Sequence, residues 1–428
     1  MASDQKKSHS RHHHHRDSHP IECQDKNCCC CKRRRKRGKT GATGQTGSTN
    51  KTKNRLEKKP RNQNTRQGLQ KKGLQNQDPV RGTTNVYNVG VTPAHLAITP
   101  NGKRAYVANV NEYGITGEYT VTVLDVPNKR PKRTIHDASF DEPWRVAINC
   151  RGTKAYVTNS ASPRHIGEEG TVSIIDIRTN TVSGTIRGFD GPSAIVLSPR
   201  GRRAYVTNYG ADGGGVGSGN GTTVSVVDLR KQQIIDTIAV SLAPAALALK
   251  GNTLYVASYV DGTPGAGVFT AICRRTNRIT STTVGLFGPF DIGLSPDGSR
   301  AYVTNFGSNN YAPFGTTVSV VDTRRKRNVH IIKEIDVHGI QPSGIAISHD
   351  GAFAYVSCFN TLYAGPGFTN LTPGLGTVQP ICLLRNKIVA PTISVGQSPS
   401  TVTLAPDAKK LFVCAFAQNT VEALTVPF

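Results

Sequence analysis

The feature that most constrains this chain is one short phrase written over and over. RAYVTNYG at Arg203–Gly210 returns as RAYVTNFG at Arg300–Gly307 and, shortened, as KAYVTNS at Lys154–Ser160. Aligned on its aromatic residue, the phrase falls at Tyr106, Tyr156, Tyr205, Tyr255, Tyr302, Tyr355 and Phe412, with spacings of 47 to 57 residues. A period of that length marks blades or solenoid units, because each unit has an apolar face that only a neighbouring copy can cover. Repetition therefore overrides the two or three independent domains that 428 residues would otherwise suggest.

Each copy divides into four short strands. In the third, GPSAIVLS is an apolar strand, PRGR a turn, RAYVTNYG a second strand, TTVSVVDL a third and QQIIDTIAV a fourth. The period-two alternation and the β-branched residues identify these segments as strands. Seven four-stranded units predict an all-β fold, a seven-bladed β-propeller over residues 83–428. Every copy opens its first strand with proline: Pro93, Pro143, Pro192, Pro244, Pro289, Pro342 and Pro399. Bulky residues three and five places later flank a smaller one, as Leu96 and Ile98 flank Ala97, so one face of each blade is bulky and the other shallow. The lone strand TTNVYNVG (Thr83–Gly90) has the character of a fourth strand, while the last copy stops at its third, NTVEALTVPF. The N-terminal strand is therefore expected to complete the last blade and close the ring, which removes the sheet edges of an open array.

The AYVTN core, the TVSVVD or TVSIID that follows it, and SPDGSRAYVTN at Ser295–Asn305 resemble the YVTN-type seven-bladed propeller repeat. That resemblance covers residues 83–428 and implies the architecture. The family includes cell-surface proteins and distant lactonase-like and cofactor-bearing relatives, so it implies no single activity. TAICRRT (Thr270–Thr276) and VQPICLLR (Val378–Arg385) depart from the pattern by losing the aspartate that ends the third strand elsewhere.

Of the formal charge of +25, residues 1–82 carry 22 Lys+Arg against 6 Asp+Glu, hence +16. This segment is rich in Gln, Asn, Thr and Gly, and buries too little apolar surface to offset its chain entropy. It is expected to be a disordered basic tail. No apolar run long enough to span a membrane occurs, and the N-terminus lacks the apolar stretch of a secretory signal, so the chain is expected to be made in the cytoplasm. Turns after first and third strands lie on one face of a propeller, and that face receives Lys103, Lys129, Arg202, Arg203, Arg274, Arg275 and the run Arg324–Arg327. The opposite face collects Glu112, Glu118, Asp141, Glu142, Glu168, Glu169 and Asp190. A basic face joined by a basic tail attracts polyanions. With no aromatic residues among those turns and no recognition helix, sequence-specific reading of nucleic acid is not expected.

Two residues after each opening proline, near the channel mouth, come His95, Arg145, Ala194, Ala246, Asp291, Gly344 and Thr401. A ligand or catalytic site there would use His95 as acid or base, Arg145 to hold an anion and Asp291 to orient the histidine, with Trp144, the one tryptophan, beside them. The competing reading is an inert ion-pair cluster. No redox-cofactor motif such as CxxCH occurs, and no cofactor is implied. In the tail, His12, His13, His14 and His15 are candidate metal ligands, Cys28, Cys29, Cys30 and Cys31 are candidate thiolate ligands or, beside KRRRKR, acylation sites, and these four with Cys23 are candidate crosslinking residues. Intermolecular disulfide crosslinking is the favoured reading of those cysteines. Cys150, Cys273, Cys358, Cys382 and Cys414, scattered among strands, are expected to be buried free thiols. GKTGATGQTGST (Gly38–Thr49) resembles the collagen-like segments of bacterial spore-surface proteins, and cysteine-rich segments resemble those that crosslink spore coats. The expectation is a non-enzymatic structural or binding propeller whose partners are other surface-layer or coat proteins, as in a bacterial spore coat or exosporium layer. A lactonase-like hydrolase working at the channel mouth, or a nonspecific polyanion binder, are the alternatives.

Overall fold

A computed structural model describes residues 81–426, apart from 112–117, 161–168, 211–218, 261–262, 309–312, 365–369 and 390–391. The strands assemble into seven blade sheets around an axis and one separate two-stranded sheet. Blades 1 to 6 occupy Pro93–His136, Pro143–Phe189, Pro192–Ala239, Pro244–Leu286, Pro289–Asp336 and Pro342–Val395. Blade 7 combines Pro399–Leu404, Lys410–Ala415 and Thr420–Thr425 with the N-terminal strand Arg81–Asn88, which pairs antiparallel with Thr420–Thr425. The expected closure is thus present, with the closing strand beginning at Arg81 and not at Thr83. TAICRRT and VQPICLLR fall in blades 4 and 6. In blade 6 the fourth-strand place is shared by Lys387–Ile388 and Ile393–Val395, and a small hairpin (Thr361–Ala364 with Asn370–Pro373) follows its second strand.

The repeated phrase is explained residue by residue. Its tyrosine lies between blades: Tyr106 packs with Val146, Ala155 and Val157 of blade 2, and Tyr302 with Ile345, Ala354 and Val356 of blade 6. There are seven such apolar clusters, one for each blade-to-blade contact, including the closing one in which Tyr87 and Phe412 of blade 7 meet Leu96 and Val107 of blade 1. The bulky-against-shallow fit predicted from the first strands is the fit observed, since Ala97 faces Val146 and Ile148.

The asparagine ties the second strand to the third. Asn305 Nδ2 donates to Thr317 Oγ1 and Ser319 Oγ, both at 2.8 Å, and Asn159 and Asn208 make the same pair of bonds to Thr171 and Ser173 and to Thr223 and Ser225. A TVS start to the third strand is therefore the partner the asparagine requires. The threonine serves the first strand: Thr158, Thr207 and Thr304 each accept, through Oγ1, the amide of the residue two after the opening proline, at 2.8 to 3.0 Å. At that place the pairing register slips, as between Pro93 and His95 or Pro289 and Asp291, so each first strand carries a bulge.

The aspartate that ends third strands caps the following turn. Asp176 Oδ1 accepts the amides of Arg178 and Thr179 at 2.8 and 3.2 Å, and Asp228 those of Arg230 and Lys231 at 2.8 and 3.1 Å. These bonds hold both carboxyls below the usual range. They also place carboxylates among the lysines and arginines of the basic face, which moderates the sidedness that a tally of cations suggests.

Among the five described cysteines, all free thiols, Cys358, Cys382 and Cys414 are buried as expected. Cys150 and Cys273 are only half-buried, which corrects the expectation for those two. Both sit where a strand runs out into a turn of the basic face. The candidate residues of the tail, including Cys23, Cys28 to Cys31 and His12 to His15, lie outside the described residues. No helix among the described residues is long and apolar enough to cross a membrane.

Candidate functional site

First strands of neighbouring blades run side by side around the axis, and each carries its bulge next to the opening proline, where the column of candidate residues stands. Two of the three candidates meet there. Arg145 Nη1 of blade 2 lies 3.6 Å from Asp291 Oδ1 of blade 5, the two side chains being 12% and 17% exposed. Arg145 Nη2 also donates to the Phe290 carbonyl at 3.3 Å, and its guanidinium sits 5.8 Å from the centre of the Phe290 ring. Charge, hydrogen bond and aromatic face thus hold one arginine across the channel.

Asp291 is equally occupied. Its Oδ1 accepts the amide of Ile292 at 2.9 Å, and its Oδ2 accepts that of Ile345, in the next blade, at 3.2 Å. His95 plays the matching part in blade 1: its Nδ1 faces the amide of Val146 in blade 2 at 3.4 Å. The two residues stand at the same place after the proline, and each receives the amide three places after the next blade's proline. With Nδ1 as acceptor, the imidazole proton belongs on Nε2 and the ring is neutral. Burial, and after it the Arg145 guanidinium, hold the His95 pKa well below the ordinary histidine value.

The structure therefore brings Arg145 to Asp291 and leaves His95 bonded to the backbone beside them, so the carboxylate orients the arginine and not the histidine. Trp144 is half-buried on the blade 2 bulge next to Arg145. Among the described residues no group of three or more His, Cys, Asp and Glu is placed to hold a metal ion.

One element escaped the sequence reading. The residue four places after the aligned aromatic is Phe306 in blade 5, Phe359 in blade 6 and Phe416 in blade 7, and these three buried rings run on from Phe290 as a row, at centroid spacings of 5.2, 5.8 and 5.9 Å. Each contact has the tilted or offset geometry that aromatic pairs favour. The row packs around Phe290 and so fixes the ring and carbonyl that receive Arg145. Carrying the repeat alignment one column further shows these aromatic residues, although nothing in the sequence tells that the rings touch.

Fold and mouth together define the class: a closed seven-bladed β-propeller whose channel is crossed near one end by an arginine–aspartate pair. In agreement, the chain is 26% identical over 354 residues to a protein of Mycobacterium tuberculosis described as a seven-bladed beta-propeller protein, covering 75% of this chain and 79% of that one. It also resembles the solved structure of the hydrazine synthase of Kuenenia stuttgartiensis, with a TM-score of 0.61 and 20% identity over 78% of this chain and 96% of that one, a likeness of fold alone. No protein-family profile matches the chain.

Proposed function

We propose that this protein is a non-enzymatic structural and binding propeller of the YVTN type, held through its basic, cysteine-bearing N-terminal segment in a surface assembly. The observation that carries the reading is the occupancy of the channel mouth. Arg145, Asp291 and the Nδ1 of His95 are each spent on one another or on backbone groups of a neighbouring blade, which is how fasteners of a ring are arranged. Acid–base chemistry needs a group with a free proton site and a second group that sets its orientation, and here the carboxylate serves the arginine.

The direction of attachment supports the same reading. Arg81 pairs with Thr425, whose other neighbour is Lys410 at a basic-face turn, so the propeller begins, at Arg81, on the face that carries the basic turns. The Gly-x-Thr triplets at Gly38–Thr49 and the cysteines Cys23 and Cys28 to Cys31 favour a crosslinked layer such as a bacterial spore coat or exosporium, with other coat proteins as partners. Extraction from the native cells or spores with and without reductant, followed by non-reducing electrophoresis, tests this. A reductant-sensitive ladder abolished by changing Cys23 and Cys28 to Cys31 to serine is expected. A freely soluble monomer would refute it.

The exposed cations Lys103, Lys129, Arg202, Arg203 and Arg275 support a second reading, contact with polyanions over the basic face. Binding to DNA or an acidic glycan should then fall steeply as salt is raised. The hydrolase alternative predicts hydrolysis of sugar lactones that disappears in His95→Ala, and inactivity across a broad panel would retire it.

A further inference from the structure

Blade 4 breaks the repeat on the basic face in a way that makes room. Its first hairpin is two residues shorter than the others: Leu249 pairs with Leu254 across four residues, where Ile98 and Ala105, Leu197 and Ala204, and Leu294 and Ala301 each enclose six. The neighbouring turn in blade 5 is longer by three, since Asp322 and His330 stand eight positions apart and the matching residues Asp125 and Arg130, Asp176 and Thr181, and Asp228 and Gln233 stand five apart. The shortened hairpin opens a cleft of about 530 Å³ between the blades, and the lengthened turn brings Lys326 and Arg327 to its wall, which Lys250 also lines.

Lys326 is held in place by neutral groups only. Its Nζ donates to Tyr255 Oη at 2.7 Å, to the Thr323 carbonyl at 2.7 Å and to the Gly298 carbonyl at 3.2 Å, and it stands 5.4 Å from the centre of the Tyr255 ring. Among the described residues no carboxylate lies within ion-pair distance of Lys326, Lys250 or Arg327. Asp297, the one acid in the cleft wall, is turned to Ser295 Oγ and the Ser299 amide at 2.6 and 3.0 Å. Three cations against one carboxylate leave a net positive field in a half-open cleft.

We propose that this cleft is a binding site for a small phosphorylated molecule, its phosphate taken by Lys250 and Arg327 in the fixed field of Lys326. A single carboxylate is served by one forked arginine, whereas converging ammonium and guanidinium groups match the higher charge of a phosphate. The volume lies in the range of small-molecule sites and exceeds what the phosphate alone fills, so the cleft has room for part of an organic body as well. The site is distinct from the channel mouth and stands independently of the attachment through the N-terminal segment.

The cleft contains its own reporter. Cys273, in the wall, occupies the place of the turn-capping aspartate and accepts a hydrogen bond from Asn252 Nδ2 at 3.4 Å, and the polar groups of the turn, Thr276 foremost, lower its pKa to about 7. The test measures carbamidomethylation of Cys273 in the full chain by neutral iodoacetamide at pH 7, read by peptide mass spectrometry, with pyrophosphate, glucose 6-phosphate or potassium chloride at equal ionic strength. Both phosphates are expected to slow Cys273 saturably and to leave Cys150 unchanged, and a preference for the sugar phosphate would assign the ligand to the ester class. Lys250→Gln with Arg327→Gln, which alters surface groups and leaves the melting temperature in place, should weaken that protection roughly tenfold or more. Protection no greater than that by chloride, or equal in the double variant, would overturn the proposal.

Discussion

Arg145 and Asp291 face each other at 3.6 Å across the channel although 146 positions separate them in the chain. Blade 2 is thereby linked to blade 5, which it does not adjoin. Asp291 is the centre of the arrangement because it also receives amides from its own blade and from blade 6. Asp291→Ala should therefore lower the unfolding free energy by about 2–3 kcal/mol, since it strands a cation and two amides, and Arg145→Ala by about 1–2 kcal/mol. Urea denaturation of both single variants and the double variant checks this. A coupling near zero would show that the two side chains act independently.

His95 makes the ring sensitive to acid. Its folded pKa lies below the value of 6.5 that the unfolded chain would show, so folding favours the neutral ring. The resulting stability is complete above about pH 6.5 and is lost as pH falls below that value toward the depressed folded pKa. His95→Gln removes the titration. Melting temperatures of the two proteins should diverge less at pH 5 than at pH 7.5, and parallel pH profiles would contradict the assignment.

Closure rests on Tyr87. Its ring is 1% exposed and lies 6.2 Å from that of Phe412, at the join between first and last blades. Tyr87→Ala should cost about 3–5 kcal/mol, in the range of aromatic truncations in well-packed cores. Removal of the closing strand 81–88 should expose the edge Thr420–Thr425 and promote self-association, visible by light scattering. Deletion of residues 1–80 should leave the melting temperature unchanged.

The thiols separate by environment. Cys273 should react with iodoacetamide along a curve centred near pH 7. Burial pushes the Cys358 thiol up to about 12 and raises that of Cys414, so both should stay unmodified in the native protein. Cys273→Asp should be tolerated or stabilising, because a carboxylate at this place accepts turn amides in blades 2 and 3. A large loss of stability in that variant would show that blade 4 caps its turn differently.

The blade count, the order of strands and the closing N-terminal strand were readable from sequence because each blade repeats the same contacts. A tyrosine that must lie between sheets, an asparagine that must reach two hydroxyls and a small residue that must admit a bulky one leave the same spelling each time. The candidate site was half legible. The column after the opening proline picked out His95, Arg145 and Asp291, since the bulge gives that column a common direction. Which of them meet was not legible: the spelling of a blade says nothing about a partner three blades away. That choice belongs to the diameter of the closed ring and the reach of an arginine side chain. The cleft beside Cys273 likewise appears only when a shortened hairpin and a lengthened turn, in separate repeats, are brought together. Local pattern determined the units of this protein, and packing around the axis decided which groups those units share.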